Sequence, residues 1–392
     1  MEFGFDLRLL YFLVPLIIAS TVPLAIVALG ALYSERSGVV NIALEGIMLI
    51  GAYVGAVTLK QLEKTSEAFP VLNAFVSLLF ALFITHLLYL LTLFLINKFK
   101  GKVDISKQLM IILYSVYTVI VTVLVFLLIN SADIYIQYAL IALIIGAVVG
   151  VVFSLLHAYA AVNMKSNQII SATALNMFAP AFAIFVNRTF SDTQTKQVTV
   201  KGDYLIDSVP VLGDIPFIGD LFFQNAYLST YIGILIFIVA VIILFRTKFG
   251  LRLRSCGENP HAADSLGINI YKIRYSGVMV SGALAGMGGV VFMLSFAPKF
   301  GAEVAGFGFL ALAVLIFGNW KPSRIIVAAI FFAFMRVVSN SYGVIPVIRD
   351  WEINSEIYKM LPYVATLIVL AFVSKNSAAP LAAGEPYDPG KR

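Results

Sequence analysis

Long apolar runs recur along the whole chain, and they constrain its fold more than any other feature. A helix of about 20 apolar residues crosses the roughly 30 Å hydrocarbon core of a bilayer. Hydrophobic residues make up 60% and charged residues 12% of the 392 positions, which is more apolar material than a soluble core of this length can bury. Eleven runs lie near 9–32, 38–59, 70–97, 109–130, 137–162, 168–187, 227–245, 276–298, 302–318, 323–345 and 360–374.

These runs predict an all-α fold, a polytopic transmembrane helix bundle with about 10–11 spans in a single domain, 1–392. Membrane-spanning strands are not indicated, because the runs lack the alternation of a lipid-embedded barrel and a spanning segment must satisfy its own backbone hydrogen bonds. The first run is long and no small-residue cleavage site follows it, so we expect it to stay as an anchor.

Lysine and arginine predict the orientation, because positively charged short loops stay in the cytoplasm. The segment "NKFKGKVDISK" has four lysines and one aspartate, and the loop at about 246–274 is also basic. The loop at about 188–226 holds three basic residues and five aspartates. We therefore expect the first two to be cytoplasmic, 188–226 and the N-terminus to be external, and the C-terminal tail to be cytoplasmic.

The external loop carries a short tandem repeat, "PVLGDI" followed by "PFIGDL". Proline and Gly-Asp favour turns, and apolar residues lie between them. We interpret the loop as an ordered external platform. The alternative is a lid that only caps the helix ends.

The sequence lacks the motifs of several kinds of catalytic and binding site. The chain has no G-x-x-x-x-G-K-[ST] phosphate-binding loop and no G-x-S-x-G elbow, and it has one cysteine and three scattered histidines. We expect no enzyme, no cofactor and no metal site, with any ATP hydrolysis on a separate subunit. The net charge of +6 fits cytoplasmic loops and needs no nucleic-acid partner. Ion coupling requires intramembrane ionisable groups, and Glu45, Glu303 and Arg336 are the main candidates.

The polar stretch "RSCGENPHAADSLGINIYKIRY" at 254–275 contains signals for a short helix. Asn259 can cap it, Pro260 suits its first position and Gly267 favours its end. We expect about two turns along the cytoplasmic face. The flanking basic residues are expected to reach lipid headgroups; they are Arg252, Arg254, Lys272 and Arg274. The alternative is an ordinary amphipathic connector.

Four segments resemble a known family: "GLRLRSCGENPHAADSLGINIYKIRY" with "SGALAGMGGV", "SERSGVVNIALEGIMLIGAY", "SATALNMFA" and "FGFLALAVLIFGNWKP". They are similar to ABC importer permeases of the branched-chain amino acid, ribose and nucleoside group, most of all to the nucleoside (simple-sugar) permeases.

The resemblance implies a multi-pass permease of the bacterial inner membrane that works by alternating access, for nucleosides. Its implied partners are an ABC ATPase, a second permease subunit that is a paralogue, an extracytoplasmic substrate-binding protein and a nucleoside or related small molecule. The alternatives are a sugar or branched-chain amino acid permease and an ion-coupled secondary transporter.

The resemblance also implies that the 259–267 helix couples the permease to the ATPase. The residues expected to do so are Glu258, Asn259, Ala262, Ala263, Asp264 and Gly267. Ala262 and Ala263 are expected to form the contact face because they are small.

Polar residues inside the runs are candidates for the substrate path. Asn41 and Glu45 are one turn apart if a helix starts near Gly38, and Asn176 lies in the sixth run. The alternatives are a structural hydrogen bond to a broken-helix backbone or to Arg36 for Glu45, and contact between helices for Asn176. The G-x-x-x-G pairs predict close helix packing; they are Gly51 with Gly55, Gly146 with Gly150 and Gly282 with Gly286.

Overall fold

The structure, a computed structural model, describes residues 7–64, 78, 85, 122–123, 134–190, 197–201, 204–209, 213–296, 299–345, 354–373 and 378–390. The predicted runs at 70–97 and 109–130 lie outside the described residues except at four positions. Each of the other nine predicted runs contains a helix.

Helices dominate the described part of the chain, as predicted for an all-α polytopic bundle. Six of them are long and apolar enough to cross a membrane. A π-helical turn at Tyr159–Asn163 extends the third helix. The helices are α1 Leu7–Arg36, α2 Leu44–Lys64, α3 Ile134–Ala158, α4 Gln168–Phe190, α5 Ile218–Phe222, α6 Leu228–Arg246, α7 Lys248–Glu258, α8 Pro260–Ser265, α9 Ile270–Phe296, α10 Phe307–Phe317, α11 Pro322–Asn340 and α12 Ser355–Val373.

Helix α9 lies at the centre of the bundle, packed against α1, α2 and α3. The glycine pairs meet there. A Cβ atom on Gly51 would lie 2.5 Å from the Cα atom of Gly286, and one on Gly286 would overlap the backbone oxygen of Gly146. A side chain on Gly282 would meet the backbone oxygen of Gly150. The predicted close packing at these pairs is therefore confirmed, and it joins α2, α3 and α9.

Three predicted helix boundaries are wrong. Helix α2 begins at Leu44 and not near Gly38, because residues 37–43 form a non-helical connection. Helix α10 has only 11 residues, about 16 Å at 1.5 Å per residue, which is half of a membrane span. Helix α9 begins at Ile270, inside the loop predicted at 246–274. Hydropathy alone did not show the interruptions before α2 and before α10, because apolar residues continue through both of these segments.

The chain segments group at two opposite ends of the bundle. At one end, the last residue of α1, Arg36, bonds to Glu258 at the end of α7, and the C-terminal residues 378–390 lie beside them. At the other end, Tyr11 near the start of α1 packs its ring 6.2 Å from that of Phe217. The two ends carry the segments that the charge distribution assigns to opposite sides. Which end faces the cytoplasm stays a prediction.

Short strands organise the described part of the 188–226 loop, although the sequence did not indicate them. Strand β1 (Val198–Thr199) pairs with β4 (Lys299–Phe300), and β2 (Leu205–Ser208) pairs with β3 (Gln224–Tyr227), both antiparallel. Burial and the neighbouring Glu63 raise the pKa of Tyr204, whose hydroxyl bonds to that carboxylate at 3.0 Å. The described part of the loop therefore packs against the end of α2. The first repeat's residues 210–212 lie outside the described residues.

Candidate functional site

The non-helical connection 37–43 between α1 and α2 is held inside the bundle by side chains from three other helices, α3, α4 and α9. The backbone N–H of Val40 donates to Gln168 Oε1 at 2.7 Å, and its carbonyl accepts from His157 Nε2 at 3.0 Å. Asn41 Nδ2 donates to Ser281 Oγ at 3.0 Å, while its Oδ1 accepts from the N–H of Ala43. An unpaired backbone group costs several kcal/mol in hydrocarbon, so these side chains make the interruption possible.

Asn176 on α4 holds the start of α2. Its Oδ1 accepts from the N–H of Gly46 at 2.8 Å, and its Nδ2 donates to the carbonyl of Ile42 at 2.9 Å. The oxygen and the nitrogen of the amide therefore both bond to backbone groups at the start of α2. In this conformation the amide contacts another helix, as the structural alternative predicted.

Glu45, in the first turn of α2, caps the half-length helix α10. Its Oε1 accepts from the N–H of Gly306 at 2.9 Å. Its Oε2 accepts from the N–H groups of Gly308 at 2.6 Å and Phe309 at 3.2 Å. The first N–H groups of a helix lack intrahelical partners and carry positive partial charge. Glu45 therefore supplies the acceptors and the negative charge that α10 needs to start inside the bundle.

A cation lies beside the same junction. Arg336 on α11 donates from Nη2 to the carbonyl of Ala305 at 2.5 Å, and its guanidinium lies 4.4 Å from the centre of the Phe307 ring. It also interacts electrostatically with Glu45. Glu45 and Arg336 are thus brought to one place, and Glu303, the third ionisable candidate, is exposed.

The three residues predicted for the substrate path therefore all support interrupted helices. Asn41, Glu45 and Asn176 surround residues 40–46 and bond to backbone or to a hydroxyl in this conformation. Asn41 precedes α2, so the prediction that it shares a helical face with Glu45 is wrong. Sequence reasoning missed His157, Gln168 and Ser281; a polar side chain inside or at the edge of an apolar run was the available signal. Gln168 Nε2 is buried without a partner.

The short helix α8 forms where the sequence predicts it. Asn259 caps it, because its Oδ1 accepts from the N–H of Ala262 at 3.0 Å, and Pro260 is its first residue. Gly267 has φ of 78°, which only glycine adopts easily, and its N–H bonds to the carbonyl of Asp264 at 2.8 Å. Local capping chemistry thus fixes both ends of α8.

The two alanines of α8 face opposite ways. Ala263 is buried in a cluster with Cys256, Ile270 and Tyr387, so its side chain faces the bundle and not the outward surface of α8; its part in the coupling stays a prediction. The outward face consists of exposed residues, with Leu266 82% exposed. These residues are Ala262, Asp264, Ser265, Leu266 and Gly267. A six-residue helix gave no apolar periodicity from which to predict this orientation.

Charged residues near α8 also divide into exposed and bonded groups. Glu258 bonds to Arg36 at 2.7 Å and so ties the end of α7 to the end of α1. Arg252 and Lys272 are exposed, but Arg274 is fully buried and donates to the carbonyl of Glu385 at 2.8 Å. The expectation that Arg274 reaches lipid headgroups is therefore wrong.

These features define a class of protein before any comparison is made. Membrane-length helices surround a core in which two helices are interrupted, and polar side chains stabilise the interruptions. Such broken helices are typical of membrane transport proteins, which place polar backbone beside a substrate path. Among the described residues, no group of three His, Cys, Asp or Glu is placed to hold a metal ion.

Comparisons with known proteins identify the family. Residues 14–124 and 91–370 match the family described as the permease component of branched-chain amino acid transport systems. The chain belongs to this family. It is a multi-pass permease subunit of the plasma membrane and not an enzyme.

Two named relatives match almost the whole chain. The nucleoside ABC transporter permease protein NupC of Lactococcus lactis is 34% identical over 93% of this chain and 93% of its own length. The guanosine ABC transporter permease protein NupQ of Bacillus subtilis is 33% identical over 98% of this chain and 99% of its own length. A second Lactococcus lactis protein, the nucleoside ABC transporter permease NupB, is 26% identical over 50% of this chain and 54% of its own. No solved structure matches the chain.

Proposed function

We propose that the chain is the permease subunit of an ATP-binding cassette importer of nucleosides. The observation that carries this proposal is the identity of 33–34% to nucleoside and guanosine permeases along nearly the entire chain. As the membrane component of an ABC system, it works with ATPase and substrate-binding partners. It moves its substrate by alternating access, without covalent chemistry.

The ATPase subunit docks on the outward face of α8. Asp264 and Leu266 project from this face, Ala262 allows close approach, and Glu258, Asn259 and Gly267 set the ends of the helix. Because Glu258 is bonded to Arg36, a displacement of α8 and α7 acts on the end of α1. From there it reaches the connection 37–43 and the residues around it, Asn41, Glu45 and Asn176. Those residues form the part of the path that rearranges.

The substrate-binding protein docks on the platform at the opposite end of the bundle. Apolar side chains that are unusually exposed for a polar loop support this assignment; they are Ile215, Phe217, Ile218 and Phe222. The strands β2 and β3 hold the platform in one conformation. A rigid apolar surface is what a protein partner recognises with little loss of conformational entropy.

A second permease subunit completes the importer. Lactococcus lactis has two similar proteins named as nucleoside permeases, which supports a paralogue as the second subunit. Helix α4 leaves large apolar side chains outside the bundle, among them Ile170, Met177 and Phe185.

Uptake by the reconstituted importer tests this function. The chain, its second permease and its ATPase are placed in liposomes with the binding protein outside, and uptake of labelled guanosine, inosine, cytidine, ribose, glucose and leucine is measured with ATP inside. We expect ATP-dependent uptake of nucleosides only. Uptake of ribose, glucose or leucine in their place would assign another substrate. Uptake driven by a sodium or proton gradient without ATP would overturn the ABC mechanism.

A further inference from the structure

The C-terminal residues 378–390 run across the end of the bundle that carries α8, and we call them the C-terminal strap. They form no helix or strand, yet their backbone groups make hydrogen bonds to three separate elements. Ala382 donates to the carbonyl of Gly257 at 2.9 Å, Gly384 donates to the carbonyl of Gly38 at 3.1 Å, and the carbonyl of Glu385 accepts from Arg274 at 2.8 Å. The strap therefore joins the end of α7, the connection 37–43 and the start of α9.

Tyr387 anchors the strap to α8. Its ring lies 5.3 Å from that of His261 on α8 and 5.8 Å from that of Tyr271 on α9. The side chain is 6% exposed and packs in the cluster that contains Ala263 and Cys256. Aromatic pairs at such distances stabilise a buried ring beyond the effect of its burial alone. The inward face of α8 thus rests on the strap.

The attachments at Gly384 and Tyr387 are close in sequence. Gly384, whose N–H bonds to Gly38, and Tyr387, whose ring contacts α8, are three positions apart. A chain of that length spans at most about 11 Å. A displacement of α8 therefore pulls on the carbonyl of Gly38 unless one of the two attachments breaks.

Gly38 lies where such a pull has an effect. It lies near the start of the connection 37–43, whose next residues bond to His157, Gln168 and Ser281. Its φ of 95° and the guanidinium of Arg274 leave no room for a side chain, since a Cβ atom would lie 2.9 Å from Nη2. Arg274 Nε and Nη2 have no partner here, so the strap's bond to Nη1 helps to hold this arginine in place.

We infer that the C-terminal strap transmits the movement of α8 to the interrupted connection between α1 and α2, with Tyr387 as a positioning residue. This inference rests on the proposed function, because it takes α8 as the ATPase contact. It adds a second route beside the ion pair between Glu258 and Arg36. The strap moves with α8 as one unit and stays attached throughout the transport cycle.

The first test examines the attachment in the purified permease and needs no transport. Cys256 is the only cysteine of the chain and is buried in the Tyr387 cluster, so maleimide labelling reports whether the cluster is closed. We expect Tyr387→Ala to accelerate labelling and to increase hydrogen exchange at residues 37–43. Leu381→Ala changes an exposed strap residue and should behave as wild type. Unchanged labelling and exchange in Tyr387→Ala would overturn the attachment.

The second test measures nucleoside imported per ATP hydrolysed in the reconstituted importer. We expect Tyr387→Ala to co-purify with the ATPase and to hydrolyse ATP, while transport per ATP falls about fivefold or more, the usual lower size of a coupling between sites. If Tyr387→Ala does not fold, Tyr387→Leu removes the ring contacts and keeps apolar volume.

Three outcomes of the second test would overturn the inference: a wild-type ratio, a loss of ATPase binding that accounts for the whole defect, or faster transport, which would make the strap inhibitory. If the unsubstituted importer carries no nucleoside, the proposed function fails, whereas the labelling and exchange measurements still decide whether the strap is attached.

Discussion

Glu45 illustrates how one residue can stabilise an element distant in sequence. Its carboxylate accepts three backbone N–H groups from residues 306, 308 and 309. Hydrogen bonds to a charged acceptor contribute about 1.5–3 kcal/mol each at most sites, and a buried donor left alone costs about 1–3 kcal/mol. The start of α10 inside the bundle therefore depends on this single side chain.

Replacing Glu45 by glutamine should destabilise the permease. The amide keeps one acceptor oxygen but turns N–H groups toward the N–H donors of α10, so we expect a loss of about 2–3 kcal/mol in the free energy of unfolding. Thermal unfolding in detergent measures it as a lower Tm. Glu303→Gln is the matched control, because this exposed carboxylate lies on the segment just before α10. Equal Tm values for both variants would show that Glu45 does not hold α10.

Cys256 should resist alkylation in the folded protein. Burial raises the pKa of its thiol to about 11, and the thiolate is the reactive form. Between pH 7 and pH 9 the group therefore stays protonated, and its reaction should accelerate only as pH approaches 11. Mass spectrometry after maleimide treatment should show little labelling of native permease at pH 7.5 and complete labelling in sodium dodecyl sulfate. Rapid native labelling would contradict the buried position.

At the scale of elements, the success of the sequence analysis depended on how local the determining contacts are. Helix α8 was predicted well, because its cap, its proline and its terminal glycine lie within nine residues of one another. The late start of α10 was not predicted, because Glu45, which caps this helix, is 261 positions away from Gly306. The orientation of Ala263 also escaped prediction, since it is set by Tyr387 in the C-terminal strap.

The outward face of α8 should control the ATPase contact. Ala262→Trp places a bulky group on this face, and overpacking a tight contact costs about 1–3 kcal/mol, roughly a 5- to 150-fold weaker association. We expect normal membrane expression but loss of ATPase co-purification and of uptake. Leu251→Trp, at an exposed position of α7, is the control. Wild-type co-purification of Ala262→Trp would remove α8 from the interface.

At the scale of the molecule, α2, α3 and α9 approach one another most closely at glycine residues. Gly286 contributes to both contacts: a Cβ atom on Gly51 would lie 2.5 Å from the Cα atom of Gly286, and a Cβ atom on Gly286 would overlap the backbone oxygen of Gly146. In lipid, helices gain little from the hydrophobic effect on association, so this close packing is a main source of stability. Hydropathy predicted the order of the described helices, and the glycine spacing predicted which surfaces meet; neither could specify that the three pairs meet at one point.

The glycine junction should tolerate no side chain at its centre. Gly286→Val places an isopropyl group where α3 leaves no space. This group should force α9 away from α2 and α3 along their length. We expect a loss of at least 1–3 kcal/mol from overpacking, seen as a lower Tm and a lower yield of monodisperse protein in detergent. Gly343→Val is the matched control, because no atom lies within 4 Å of its Cβ position. Asn41 precedes α2, Glu45 lies in its first turn and Ser281 lies on α9, so Gly286→Val protein that survives purification should also show faster hydrogen exchange at residues 37–43. Wild-type Tm and exchange in Gly286→Val would mean that α9 can move apart from α2 and α3 without loss, and that the bundle is held together elsewhere.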